Sequence, residues 1–522
     1  MPLTCMARIR PIWERARVDW YPYQLETAAR VVDEMGGRAI LADEVGLGKT
    51  IEAGLVIWEL MHRGQAERIL ILTPASLTAQ WCGELAGKFD LAFEVNPDGN
   101  RWRTAERIIA SLDLAKRAPQ RQWLLERDFD LVIVDEAHRL KNRNTQNHQF
   151  VRDLRTRFLL LLSATPLQND LTELYSLVSL VRPHLFGSYN QFWRHFLIDK
   201  RTPKNPDALR AILAQVMIRH RRRDLSLEFP DRRVSLLPLR LFPDEQRLYE
   251  AVSAVVRSEY ARRAETSASI LPLLMLQREV CSSAPAVAGT LGRLARRGDP
   301  GPFADLYDLA RSIRRHRKAE VLLGLIPEIG EKAIVFTEFR ATQDFLAELL
   351  KQAGIPAVKF HGEQASWEKE QAIRRFQGDV PVLISTECGG HGLNLQFCRN
   401  VINYDLPWNP MRVEQRIGRV HRLGQEADEV YIYNLCAEAT IEEYILWLLD
   451  EKINLFRQVI GELDVILRQL ERKRGIETRI AEIALTARDH DDMRRQFEYL
   501  GNELESYARR AEPMRSALAL RP

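Results

Sequence analysis

The chain has 522 residues, 46% of them hydrophobic and 28% charged, and its 75 Lys+Arg against 71 Asp+Glu leave a formal net charge of only +4. Length alone predicts roughly three to four globular units, and the composition excludes a disordered chain, a collagen-like chain and a membrane bundle. Six cysteines, none in a Cys-x-x-Cys pair, exclude a disulfide framework and a cysteine zinc site and predict a reducing compartment. A nucleic-acid footprint, if present, must be local, because the overall charge is nearly balanced.

The first twenty residues are basic but carry no apolar run, so they predict no signal peptide. The most apolar stretch, Phe158 to Leu162, is too short to cross a bilayer. The expectation is a soluble, cytoplasmic chain. Short apolar runs at 38–42, 68–73, 130–135 and 158–163 each precede a polar loop and an amphipathic stretch. The same rhythm returns at 332–337, 380–385, 399–404 and 429–434. Such alternation predicts an α/β chain with two parallel sheets covered on both faces. Residues 240–318 are rich in Leu, Ala and Arg and are interrupted at Pro272, Pro285 and 298–302, which predicts a helical insertion. From residue 439 the chain reads as helix, with Ile441, Tyr444, Ile445, Leu448 and Leu449 on one face. That face predicts a brace on the second α/β unit, since an apolar stripe needs a surface to cover it. The boundaries are therefore 1–20, 21–239, 240–318, 319–438 and 439–522. Arginine-rich patches at 219–223 and 312–317 read equally well as solvated faces.

Three local patterns carry chemistry. Asp43-Glu44-Val45-Gly46-Leu47-Gly48-Lys49-Thr50 lies between a predicted strand and a predicted helix. Gly46 and Gly48 let backbone N–H groups curl around phosphate oxygens, Lys49 adds a point charge, and the Thr50 hydroxyl suits Mg2+. The usual first glycine of such a loop is replaced by Asp43. Asp135 and Glu136 follow a buried strand, the first suited to Mg2+ and the second to polarising an attacking water. Arg416, Arg419 and Arg422 recur at a spacing of three and would share one face if the segment is helical. Standing alone, that run reads as a solvent-facing basic helix.

In their order along the chain these patterns resemble the Swi/Snf-type ATPases of helicase superfamily two, a RapA-like bacterial motor core, from about Tyr21 to Ile445. Tyr23-Gln24-Leu25-Glu26 resembles the adenine-reading glutamine motif. The loop at 43–50 is similar to the family's phosphate loop, aspartate included. Leu72-Thr73-Pro74 with Gln80-Trp81 resembles the first strand-binding motif, and the Arg-Leu-Lys-Asn extension after Asp135-Glu136-Ala137-His138 is specific to this family. Leu162-Ser163-Ala164-Thr165 resembles the coupling motif, Ser385 to Gln396 the fifth motif, and Asp405 to Pro410 with Gln415 to Gln425 completes the signature. The Cys388 and His391 side chains depart from the pattern and read as packing.

The resemblance implies two RecA-like lobes with ATP and Mg2+ as cofactors. Lys49, Asp135, Glu136, Arg419 and Arg422 would be catalytic, with the two arginines as fingers that act when the lobes close. Gln24, Gly46, Gly48, Lys49, Thr50, Gly392, Asn394 and Gln415 would bind the nucleotide, and Thr50 and Asp135 the metal. Pro74, Gln80, Trp81, Ser163, Thr165, His361, Gly362, Thr386 and Trp408 would meet nucleic acid. Double-stranded DNA is the implied partner, with RNA polymerase or a defence-system subunit as a protein partner, and no membrane. The implied function is an ATP-dependent double-stranded DNA translocase that remodels or displaces protein–DNA complexes. A strand-separating helicase and a nucleotide-gated DNA-binding scaffold are the alternatives.

Overall fold

The structure, a computed structural model, describes residues 21–44, 46–163, 171–199, 202–220, 225, 229–263, 271–297, 301–386, 395–421, 424–452 and 476–517. It divides into two units, the first built on residues 1–227 and the second on 228–458 with 466–508.

The first unit is a seven-stranded sheet of β1 (Arg38–Leu41), β2 (Ile69–Thr73), β3 (Glu94–Val95), β4 (Arg107–Ser111), β5 (Asp128–Val134), β6 (Arg155–Leu162) and β7 (Met217–Ile218). Their order is β3-β4-β2-β5-β6-β1-β7, and every pairing is parallel. Both faces are buried, which explains the continuous apolar runs. Leu70 and Leu72 pack into one core with Ile40, Val132 and Leu161. Ile69 and Ile71 pack into the other with Leu41, Ile133 and Leu160. Successive side chains of a strand point to opposite faces, so a strand covered on both sides has no polar positions to spare.

The second unit is a six-stranded parallel sheet. Its strands are β8 (Asp231–Leu239), β9 (Ala333–Thr337), β10 (Ala357–Phe360), β11 (Val382–Thr386), β12 (Asn400–Asn403) and β13 (Glu429–Ala437), in the order β10-β11-β9-β12-β13-β8. All eight strands expected from the apolar runs are present. The boundary at 239 needs correction: β8 pairs with β13 from Asp231↔Glu429 to Leu239↔Ala437, so 231–239 belongs to the second unit. The strand carries a weak sequence signal because it lies at the sheet edge, opens on three charged residues and contains Pro238, which an edge strand tolerates.

The insertion is helical as expected: Pro243–Arg263, Leu271–Ser282, Ala284–Arg297 and Gly301–Ser312. Pro272 and Pro285 each sit in the first turn of a helix, where the missing N–H costs nothing. The core of the insertion joins Leu248, Val252, Leu276, Val287, Leu291 and Leu306, and it also takes Leu485 from the tail helix Ile476–Thr486. The tail thus packs on the insertion. Ile441, Ile445, Leu448 and Leu449 are buried as the stripe predicted, while Tyr444 stacks on Phe497 of the last helix. Among the described residues no helix is long and apolar enough to cross a membrane.

One buried acid in the insertion gives a stability test. Burial pushes Glu279 up to about 7, against the opposing pull of a Thr290 Oγ1 hydrogen bond of 2.8 Å and of Arg293. A carboxyl raised in the folded state favours protonation. Its cost to folding is absent below an unfolded value of about 4.3, grows as pH rises towards 7 and is constant above. Glu279→Gln keeps the shape of the neutral acid. It should stabilise the chain by on the order of 1–3 kcal/mol at pH 8 and far less at pH 5, as thermal melts at the two pH values would read.

Candidate active site

The loop after β1 leads into the helix Lys49–His62, whose N-cap is Gly48. Gly46 and Gly48 have φ of 87° and 82°, the left-handed region where a side chain is strained. At Gly48 a Cβ would also lie 2.6 Å from Gln24 Nε2. The loop is therefore held in one shape by its glycines and by what surrounds it. Tyr23 Oη donates to the Leu47 carbonyl, and Gln24 Nε2 donates to the same oxygen at 3.2 Å. Lys49 Nζ donates to the carbonyls of Asp43 (2.6 Å) and Glu44 (3.2 Å). Asp43, the residue in place of the usual glycine, is fully buried and accepts from His220. Glu52 is buried one turn into the helix, and burial, then the Asp43 carboxylate, push its pKa well above the usual range.

At the C-terminal end of β5, Asp135 Oδ1 accepts the Glu136 N–H at 2.8 Å and Oδ2 accepts Trp81 Nε1 at 2.9 Å. Desolvation and the adjacent Glu136 raise Asp135 to about 6, while the Trp81 and Glu136 hydrogen bonds and Lys49 pull the other way. Glu136 has φ of 50°, a strained conformation for a residue with a side chain, of the kind that concentrates at functional sites. Its carboxylate lies 3.1 Å from His138 Nδ1. The Arg-Leu-Lys-Asn extension is anchored through Arg139, which pairs with Asp113 at 2.8 Å; hydrogen bonds from Lys116 and Arg139 hold Asp113 down to about 2.

Trp81, expected to meet nucleic acid, is instead a buried residue. It is 2% exposed, in the core of the first unit, with its N–H committed to Asp135. Trp408 needs the same correction, being buried with the Arg278 guanidinium 5.6 Å from its ring centre. Ser163 and Thr386 are buried at strand ends. His361 is nearly buried, with Nδ1 2.5 Å from Arg340. Gly362 is exposed, and Pro74 and Gln80 are half-buried, with Gln80 bonded to Glu84 at 2.7 Å. Thr165, Gly392, Asn394 and Arg422, with Cys388 and His391, lie outside the described residues.

The role of Trp81 is testable. Trp81→Phe keeps most of the packing and removes the donor to Asp135. Turnover should fall about tenfold, the scale of a lost bond to a charged group, with the melting temperature as control.

In the second unit the helix Pro410–Ile417 ends before Arg419, so Arg416 and Arg419 do not lie on one helix. Arg416 is 3% exposed and points into the unit, donating to Asn403 Oδ1 (2.9 Å) and the Asp405 carbonyl (2.6 Å). Arg419 follows the helix end and is also buried, while Gln415 is exposed.

Two parallel sheets in one chain, the first ending in a glycine-rich loop with a carboxylate pair beside it, define a two-lobe RecA-like fold of the helicase type. A family model for the SNF2-related domain matches residues 23–285, and one for the helicase conserved C-terminal domain matches 317–424. The chain belongs to the SNF2-related family. The uncharacterized ATP-dependent helicase YqhH of Bacillus subtilis (strain 168) is 46% identical over 457 residues, 86% of this chain and 81% of that one. RNA polymerase-associated protein RapA of Proteus mirabilis (strain HI4320) is 27% identical over 552 residues, 92% of this chain but 55% of RapA, so the chain spans about half the length of that relative. The helicase domain of Pyrococcus furiosus Hef superposes with a TM-score of 0.53 at 17% identity, over 83% of this chain and 99% of that one, a likeness of fold.

Proposed function

We propose that the chain is an ATP-dependent translocase on double-stranded DNA that remodels or displaces protein–DNA complexes. The observation that carries it is the constellation in the first unit: Lys49 at the glycine loop, and Asp135 presented by two hydrogen bonds beside the strained Glu136. Loop N–H groups and Lys49 would take the phosphates. Thr50 and Asp135 would hold Mg2+, which neutralises developing charge on the phosphates; the oxygen donors fit that ion, and Asp135 is oriented for it by Trp81. Glu136 would orient the attacking water. Gln24, which braces the loop at Leu47, would couple the base-reading motif to phosphate binding. Gly392, Asn394 and Gln415 would complete the nucleotide contacts from the second unit, with Arg419 and Arg422 as the fingers. The domain limits that go with this reading are a first lobe ending before β8, the insertion, a second lobe and a helical tail.

Duplex specificity is supported by the motifs at 135–142 and 405–425, and RNA polymerase as a partner by the likeness to RapA alone. A cytoplasmic setting is the natural one for such a motor. Duplex DNA should stimulate ATP hydrolysis more than single-stranded DNA or RNA, and binding should weaken steeply with salt because phosphates supply most of the attraction. ATPase rates with each nucleic acid side by side test it. Displacement of a third strand without duplex unwinding supports translocation; unwinding of a tailed duplex supports the strand-separating reading, and equal stimulation by RNA overturns the DNA assignment.

A further inference from the structure

Asp43 and His220 meet below the phosphate loop in a contact that neither phosphate binding nor water activation uses. Asp43 is fully buried and His220 is 5% exposed. The His220 main-chain N–H donates to Asp43 Oδ1 at 2.9 Å, and its ring Nδ1 lies 2.9 Å from Asp43 Oδ2. The backbone ladder runs on beside them: Ala42 N–H donates to the Ile218 carbonyl at 2.8 Å and Glu44 N–H to the His220 carbonyl at 3.2 Å. The Tyr23 ring stands edge-on to the imidazole, with centroids 5.1 Å apart, and the same tyrosine's hydroxyl holds the Leu47 carbonyl. The loop is thus fastened at Asp43 by His220 and at Leu47 by Tyr23 and Gln24. Gly46 between those points and Gly48 just beyond them supply the turns.

We propose that His220 is a positioning residue for ATP binding, holding Asp43 so that the carbonyls of residues 43 and 44 keep Lys49 in register with the loop. The geometry gives the route. Lys49 Nζ rests on just those two carbonyls. Anchoring the Asp43 carboxylate at both oxygens restrains the residue whose carbonyl is the first of them. His220 also stands at the end of the β7 ladder. This inference rests on the reading of residues 43–50 as the ATP site.

The test uses the full chain and the variants His220→Ala, His220→Asn and Lys49→Ala. The alanine variant loses the ring contact and keeps the main-chain N–H. Its dissociation constant for a fluorescent ATP analogue and its KM for ATP should rise about ten- to a hundredfold, the scale of one hydrogen bond to a buried charge. Its kcat should change little, as for an interaction made equally before and during reaction. Asparagine places an amide donor near the position of Nδ1 and should recover most of the affinity. A merely structural histidine would lower the melting temperature and leave KM where it was. Should the alanine variant fail to fold, Asp43→Asn removes the charge from the other side of the same contact and should raise KM likewise.

An unchanged KM in His220→Ala, or no rescue by asparagine, overturns the proposal. So does a stoichiometric divalent metal in the purified chain that the alanine variant lacks, because Asp43, Glu52 and His220 offer ligand atoms within 4.8 Å of one another and would then form a metal site. Lys49→Ala separates the two levels: if it binds and hydrolyses ATP normally the ATP-site reading fails, and if it is inactive while His220→Ala matches wild type only the positioning role fails.

Discussion

Glu136→Gln should bind ATP and hold it, with turnover reduced by about two to four orders of magnitude, the range lost when a residue that handles the proton of an attacking water is removed. Glutamine keeps the shape and the backbone that puts residue 136 at φ 50°. It loses the carboxylate. Lys49→Ala should be equally inactive by another route, because the ammonium now resting on the Asp43 and Glu44 carbonyls is the charge available to the phosphates. Binding of a fluorescent ATP analogue separates them: affinity is kept in Glu136→Gln and lost in Lys49→Ala. Wild-type turnover in Glu136→Gln would remove that residue from the chemistry.

Arg419→Ala should lower DNA-stimulated turnover by a thousandfold or more, the scale of arginine fingers, while the affinity for ATP changes little. A charge that acts on the transition state lowers the barrier without tightening substrate binding. Arg419 is only 8% exposed, and that burial supplies the contrast. Were it a structural cation alone, its loss would cost about 3–5 kcal/mol of stability and leave turnover per folded molecule unchanged. Arg416 is the internal comparison, since its guanidinium is spent on Asn403, the Asp405 carbonyl and the face of Phe336, 5.3 Å from the ring centre. Arg416→Ala should show mainly as a fall in melting temperature. Steady-state rates at saturating duplex DNA, read beside thermal melts of both variants, decide between the two roles; near-normal turnover in Arg419→Ala would sink the finger.

The amino-acid sequence by itself determined the two parallel sheets, the insertion and the loop at Gly46-Leu47-Gly48-Lys49-Thr50. Each of these is written in neighbouring residues. Strands buried on both faces must be apolar throughout, glycine is required where φ is positive, and adjacent acids after a buried strand have few other uses. Weak strands were not legible in this way. β3 and β7 have two residues each, and β8 lies at an edge and opens on three charged residues. Tertiary structure alone decided which side chains support the site and which reach solvent. Trp81 comes from 54 positions away to orient Asp135, and His220 from 177 positions away to hold Asp43. Arg416 turns inward because Asn403 and the Asp405 carbonyl wait there, and the tail packs on the insertion through Leu485. Motif spacing records what a segment can bind. Whether a tryptophan in that segment faces DNA or a carboxylate is set by contacts across the fold, and those contacts leave no periodic trace in the chain.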